Sequence, residues 1–125
     1  MNESFSSDYA RQLMTQMRKG ILVYCVLLIC SKGDVYSTDI IKRLREAKLI
    51  VVEGTIYPLL SRLQKDGVLV HVWKESVKGP PRKYYHLSED GKAILEELKV
   101  SSGQMQSAID AIEKEQSWTK SIKSI

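Results

Sequence analysis

The 125-residue chain is short of the residues from which reactive sites are built. It has two cysteines, Cys25 and Cys30, and two histidines, His71 and His86. The cysteines stand five apart, so on a helix they point about 140° away from each other, which excludes a local disulfide. A reduced, cytoplasmic protein is the expectation. Neither histidine stands at metal-ligand spacing from a cysteine, so no metal is expected. No serine, cysteine or lysine has the neighbouring base that nucleophilic catalysis requires. The glycines form no phosphate loop. An enzyme is therefore not expected, and no cofactor is called for. Long hydrophobic runs are missing too. ILVYCVLLIC, Ile21 to Cys30, is about half of what spans a bilayer and reads as a buried helix. The start, MNESFSSDYARQL, is polar and lacks the charged-then-apolar order of a secretory signal. Internal repeats and low-complexity tracts are absent.

What is there fits one domain with a modest core, given a hydrophobic content of 43%. The net charge is +4, unevenly spread. Residues 1–52 carry eight Lys/Arg against five Asp/Glu, residues 53–86 six against three, and residues 87–125 five against seven. A basic front with an acidic tail suits a chain that offers one face to a polyanion.

Apolar spacing gives the elements. Asp8 can cap a first helix running to about Ser31, with Leu13, Met17, Ile21, Tyr24 and Leu28 on one stripe. Gly33 suits its end. Ser37 opens a second helix with Ile40, Ile41 and Leu44 on one side, and Ile50 to Val52 is either a short strand or an extended turn. In EGTIYPLLSRLQKDG, Ile56, Leu59, Leu60 and Leu63 follow helical spacing and face a core. If Thr55 is the N-cap, Pro58 falls in the first turn, where a proline fits; if the helix starts at Glu53, Pro58 requires a kink. Val68–Lys74 and Arg82–Leu87 alternate as strands, joined by ESVKGPP, which looks too long and too proline-bearing for a two-residue turn. Tyr85 shares a face with Leu87 and belongs to the core, while Tyr84 points the other way. Ser88 can cap a last helix in which Gly91 is tolerable. Along it Leu95, Leu98, Ser102, Met105, Ile109 and Ile112 recur at alternating three- and four-residue steps, a seam for a partner helix. The alternative is a helix lying on its own core.

Three helices followed by a hairpin is the order of a winged helix-turn-helix domain, here mainly α with a small β-hairpin. Such a domain inserts its third helix in the major groove and sets the hairpin, or wing, on flanking DNA. Helix 53–66 would expose Gly54, Thr55, Tyr57, Ser61, Arg62 and Lys65, and the 74–83 wing carries Lys78, Arg82 and Lys83. Residues 1–91 would form the DNA-binding domain and 92–125 the dimerisation helix and tail, with Leu95, Leu98, Met105, Ile109 and Ile112 in a homodimer seam. Trp73 reads either as a cover for the hairpin's base or as a ligand wall. Trp118 is the other aromatic a flat ligand could use, since no aromatic lies between Lys92 and Lys114.

VYSTDIIKRL, EGTIYPLLSRLQKDG and GPPRKYYHLSEDGKAIL together resemble the PadR family of bacterial transcriptional regulators, over roughly Ile21 to Leu98. The resemblance implies a winged-helix homodimer, paired through the C-terminal helix with help from the first, that acts on double-stranded operator DNA. It implies a repressor, in many members relieved by a small molecule such as a phenolic acid or drug. It adds Tyr36 and Ser37, at the start of helix two, to the DNA contacts. Two departures stand out: Val52 occupies a position that is often a capping serine, and the tail is short, which leaves little room for a ligand pocket. A winged-helix module for protein–protein interaction is the alternative, with the acidic tail as its working surface.

Overall fold

The computed structural model of the protein describes residues 3–49 and 53–115. The elements run α1 (Glu3–Cys30), β1 (Val35–Tyr36), α2 (Ser37–Glu46), α3 (Glu53–Lys65), β2 (Leu69–Ser76), β3 (Gly79–Leu87) and α4 (Glu89–Lys114). The expected order is present, with one short strand, β1, that sequence patterning did not single out. Residues 1–95 and 96–125 form two compact units.

In the first unit the core is drawn from every element. Val26, Leu27 and Cys30 of α1, Ile40, Ile41 and Leu44 of α2, and Ile56, Leu60 and Leu63 of α3 are buried. Val35, Leu69, Tyr85 and Leu87 close it from the sheet, and Leu95 from the start of α4. Each large aliphatic side chain fully buried here contributes about 1.5–3 kcal/mol relative to exposure. Leu59, expected in this set, is only half-buried.

The first helix departs from expectation in three ways. It is already helical at Glu3, so Asp8 is not its cap; instead Asp8 pairs with Arg11 one turn on, at 3.6 Å. The apolar stripe is also largely outside the core. Leu13, Met17 and Ile21 are exposed, as are Tyr9 and Met14, whereas the buried positions are Val26, Leu27 and Cys30. Helical spacing identifies a stripe, but only contact with the rest of the fold decides which turns of it are covered. The apolar stretch is also longer than the ten-residue run suggested: within Ser6–Cys30 an 18-residue window reaches a mean hydropathy of 1.5, long and apolar enough to cross a membrane. Arg18 and Lys19 interrupt that stretch, and its last turns are built into the domain core. A basic residue near a helix centre costs about 2.5–3.5 kcal/mol on insertion, so the stripe suits a protein contact better than lipid.

The sheet is antiparallel in the order β1-β3-β2. Val35 pairs with Tyr85 and Tyr36 with Tyr84; on the other side Leu69 pairs with Leu87, Val72 with Tyr84 and Lys74 with Arg82. Because strand side chains alternate, register fixes two faces. Val35, Leu69, Tyr85 and Leu87 share the core face, and Tyr36, Val72, Lys74, Arg82, Tyr84 and His86 share the other.

The hairpin corrects the loop expectation. Ser76 pairs with Gly79, leaving only Val77 and Lys78 in the turn. Gly79 takes φ +135, a conformation side-chain-bearing residues avoid. The register then shifts between Lys74 and Ser76, with an extra residue on β3 where Pro80 and Pro81 lie. Proline cannot donate to a ladder but is accommodated at a bulge. The two prolines therefore lie inside the strand rather than in a long loop.

Local chemistry ends the helices where the sequence indicates. Gly67, at φ +82, follows α3, and the Val68 amide donates to the Leu63 carbonyl at 2.9 Å. The end of α2 is less expected: Lys48 takes φ 69 while Leu49 donates to the Leu44 carbonyl at 3.0 Å. Ser88 caps α4, its Oγ accepting the Gly91 amide at 2.9 Å while donating to the Gly67 carbonyl at 2.6 Å.

In the second unit α4 runs on as far as Lys114. Lys99 donates to Glu96 at 3.2 Å and Gln106 to Asp110 at 3.0 Å, one-turn pairs on a solvated helix surface. Val100, Met105, Ile109 and Ile112 are exposed and Leu98 is half-buried.

Candidate nucleic-acid interface

Helix α3 positions its polar side chains by burying its apolar ones. Ile56, Leu60 and Leu63 recur at four- and three-residue steps and are withdrawn from solvent, which turns the opposite arc outward. Gly54, Thr55, Tyr57, Ser61, Arg62 and Lys65 are all exposed, Tyr57 to 43%. They supply hydroxyl, guanidinium and ammonium donors suited to phosphate oxygens and base edges. The helix is already formed at Glu53, and Pro58 lies inside it, in the second turn. Lacking an N–H, Pro58 gives the Gly54 carbonyl no intrahelical donor. Val52 and the Ile50–Val52 segment lie outside the described residues.

Tyr36 and Ser37 stand at the junction of β1 and α2. Tyr36 is the last residue before α2 and places no side-chain hydrogen bond on its first turn. Its ring is instead committed to the sheet, 5.6 Å from the Tyr84 ring at 41°. The pairing of β1 with β3 sets this contact, so the start of α2 and the wing are one construction.

The wing residues separate by face. Arg82 lies with its guanidinium 5.0 Å above the Tyr36 ring, on the outer face. Lys83, next in sequence, faces the core side, with its ammonium 5.3 Å from the Tyr85 ring. Lys78 is in the turn itself and fully in solvent reach. The wing cations therefore address their surroundings from two sides. An open depression at the wing tip is lined by Glu75, Ser76, Val77, Lys78, Arg82 and Tyr84.

Sequence patterning missed an electrostatic anchor below the wing. Asp34, in the loop before β1, accepts a bond from Lys74 Nζ at 3.0 Å. Its other oxygen lies 2.9 Å from His86 Nδ1. That ring nitrogen is withdrawn from solvent and makes no hydrogen bond of good geometry. The bond from Lys74, aided by the Lys74 and His86 charges, holds the Asp34 carboxyl below its ordinary range. His86 thus sits on the hairpin, as expected, but in a cluster no local motif announces. Among the described residues no group of three potential ligands could hold a metal ion.

The remaining expected site residues fall in different places. Leu95 is 2% exposed and forms part of its own chain's core, which corrects its assignment to an intersubunit seam. Met105, Ile109 and Ile112 are exposed, and Leu98 is half-buried. Trp73 is 62% exposed and meets the His71 ring edge-on at 6.2 Å, so it covers little of the hairpin's base. It does not line the wing depression. Trp118 lies outside the described residues.

Residues 26–97 match the transcriptional regulator PadR-like family. Among solved structures the chain is 48% identical to a PadR-like transcription factor from Bacteroides fragilis, covering 81% of this chain and 98% of that one with a TM-score of 0.68. It is 38% identical to a PadR-like transcriptional regulator from Bacillus cereus, over 81% and 99% of the two chains, TM-score 0.72. A PadR family regulator from Eggerthella lenta, 24% identical over 90% and 99%, superposes with a TM-score of 0.79 and shares the fold. These likenesses place the molecule in a class of regulators and not in a class of enzymes. With its helical body, three-stranded wing sheet and exposed polar face on α3, the chain belongs to the PadR-like family of DNA-binding transcriptional regulators.

Proposed function

We propose that this protein is a cytoplasmic repressor that binds a specific operator as a homodimer. The observation that carries the reading is the division of α3, with Ile56, Leu60 and Leu63 buried and Thr55, Tyr57, Ser61, Arg62 and Lys65 exposed as one polar arc. A helix so divided can enter the major groove of B-DNA, where base pairs are distinguishable by their donor and acceptor patterns. Lys78, Arg82 and Lys83 of the wing, with Tyr36 and Ser37, would reach flanking backbone and fix register. Two copies are supported by apolar side chains that one chain leaves exposed. These are Leu13, Met17 and Ile21 on α1, and Met105, Ile109 and Ile112 on α4. Burying such stripes against a second copy is the ordinary use of heptad-like spacing. Residues 92–125 would then serve as the dimerisation segment. The exposed Trp73 offers a small-molecule effector only an open surface.

The test is a gel shift with the duplex from upstream of the protein's own gene against a random duplex, titrated with salt. A preference for the upstream duplex of about 10³-fold or more is expected of a specific regulator. Equal retention of both duplexes would remove the operator reading, and no retention of either would favour a protein-binding role for the same face.

A further inference from the structure

The outer face of the sheet carries a file of side chains that runs from the loop before β1 to the wing. Asp34 holds Lys74 at 3.0 Å, and the Lys74 ammonium lies 5.0 Å from the centre of the Tyr84 ring. Tyr84 contacts Tyr36 at 5.6 Å, and Tyr36 carries the Arg82 guanidinium at 5.0 Å. The register explains the file, since Tyr36 and Lys74 lie on strands that flank β3, opposite Tyr84 and Arg82 respectively. Cations within about 6 Å of a tyrosine ring centre are attracted by its negative face. Among the described residues no carboxylate pairs with Arg82, so its N–H groups stay available while its guanidinium lies over the Tyr36 ring.

A charge on a freely rotating side chain reads only phosphate density. A guanidinium whose plane is fixed presents its donor fork at one angle, and that geometry is what a bidentate contact needs. We propose that Tyr84 and Lys74 are positioning residues for DNA recognition: acting through Tyr36, they aim Arg82, so that this wing residue contributes to discrimination between operator and random DNA as well as to charge. The inference rests on the operator-binding reading above.

A double-mutant cycle tests it, pairing Tyr84→Leu with Arg82→Ala on the upstream and random duplexes over a salt series. Tyr84→Leu leaves every cation in place, so the salt slope and random-DNA affinity should stay at wild-type values. Upstream-duplex affinity should fall roughly 2- to 5-fold, the worth of an exposed cation–π contact. That loss should vanish in the Arg82→Ala background, and Tyr84→Phe, which keeps the ring, should behave as wild type. Tyr84→Ile, β-branched and so better suited to a strand, offers a second route to the same loss should Tyr84→Leu fold poorly. Equal losses on both duplexes, or an undiminished loss without Arg82, would overturn the proposal. A readout without DNA separates it from the operator reading. In the free protein the Arg82 Nε–H resonance should be shifted by the Tyr36 ring and move toward its solvent position in Tyr84→Leu. An unmoved resonance would defeat the positioning role whatever the DNA result. An absent operator preference in wild type, beside a resonance that moves as expected, would defeat the operator reading and leave the side-chain file standing.

Discussion

Gly91, in the first turn of α4, lies so close to the main-chain carbonyl of Val68 that a Cβ there would overlap the Val68 oxygen. The same carbonyl accepts the Ser88 amide at 3.1 Å, so the start of α4 is seated on the turn between α3 and β2. A glycine inside a helix costs up to about 1 kcal/mol against alanine, and here the close approach outweighs it. Gly91→Ala should therefore lower stability, by about 1–3 kcal/mol as for an overpacked site. Gly103, in the same helix, has open space where its Cβ would be. Gly103→Ala should raise stability by up to about 1 kcal/mol. Thermal or urea unfolding of both variants checks the opposite signs; two changes of the same sign would refute the packing account.

Asp34 predicts an acid dependence. Its folded pKa lies below the ordinary value of 3.8 because Lys74 donates to the carboxylate and the Lys74 and His86 charges favour it. A group whose folded pKa is depressed stabilises fully above its unfolded pKa and loses that contribution as pH falls through the folded value. Asp34→Asn should thus be less stable than wild type at pH 7, with the gap closing below about pH 3.8. The carboxylate is partly in water, so the gap should be modest and shrink with salt. Urea titrations at pH 7 and pH 3 measure it, and a gap unchanged between them would show that charge is not the cause.

On DNA, the helix and the wing should fail differently. Replacing Ser61 or Arg62 by alanine should erode operator preference by ~1–3 kcal/mol for each base edge no longer read. Lys78→Ala should weaken operator and random DNA alike and flatten the salt slope by ~0.9 for each phosphate no longer neutralised. Arg82 and Lys83 face opposite sides of the sheet, so their alanine variants should differ in slope rather than match. Fluorescence anisotropy over a salt series distinguishes these outcomes; identical slopes for the two would place both cations at the same distance from DNA.

The proposed pairing through α4 predicts a concentration-dependent loss of dimer in the variants. Leu98→Ala with Ile109→Ala should shift the protein toward monomer in sedimentation velocity, each truncation costing ~2–5 kcal/mol where the side chain is buried in the dimer. Leu95→Ala should instead unfold the domain, because Leu95 is already buried in its own chain. A double variant that stays dimeric at micromolar concentration would move the interface elsewhere.

Cys30 should be inert while the protein is folded. Burial pushes its thiol up to about 12, so it carries almost no thiolate at neutral pH. Burial also raises Cys25, which is partly exposed. Maleimide labelling at pH 7.5 should be slow for both and slower at Cys30, and both should label at once in denaturant. Rapid native labelling of Cys30 would mean that the end of α1 opens readily.

The elements and their polarity were legible in the order of the residues. Helical spacing selected Ile40, Ile41, Leu44, Ile56, Leu60 and Leu63, all buried, because a helix must turn its apolar side to whatever excludes water. Strand alternation placed Tyr85 in the core, and Gly67 and Ser88 ended and began helices through bonds made within a few residues or across one turn. The exposed arc of α3, and with it most of the candidate DNA face, followed as the complement of that burial. Other features depend on partners distant in the chain. Strand β1 is two residues long, too short for a period, and exists because β3 pairs with it. The Asp34–Lys74–His86 cluster and the Arg82–Tyr36–Tyr84 file join segments about forty to fifty positions apart, which no local pattern encodes. Leu95 has seam spacing yet is core, and Met17 has core spacing yet is exposed, because periodicity gives a direction around a helix and not what lies in that direction. Gly91 reads as a minor flaw in a helix until the Val68 carbonyl, more than twenty residues earlier, is brought against it.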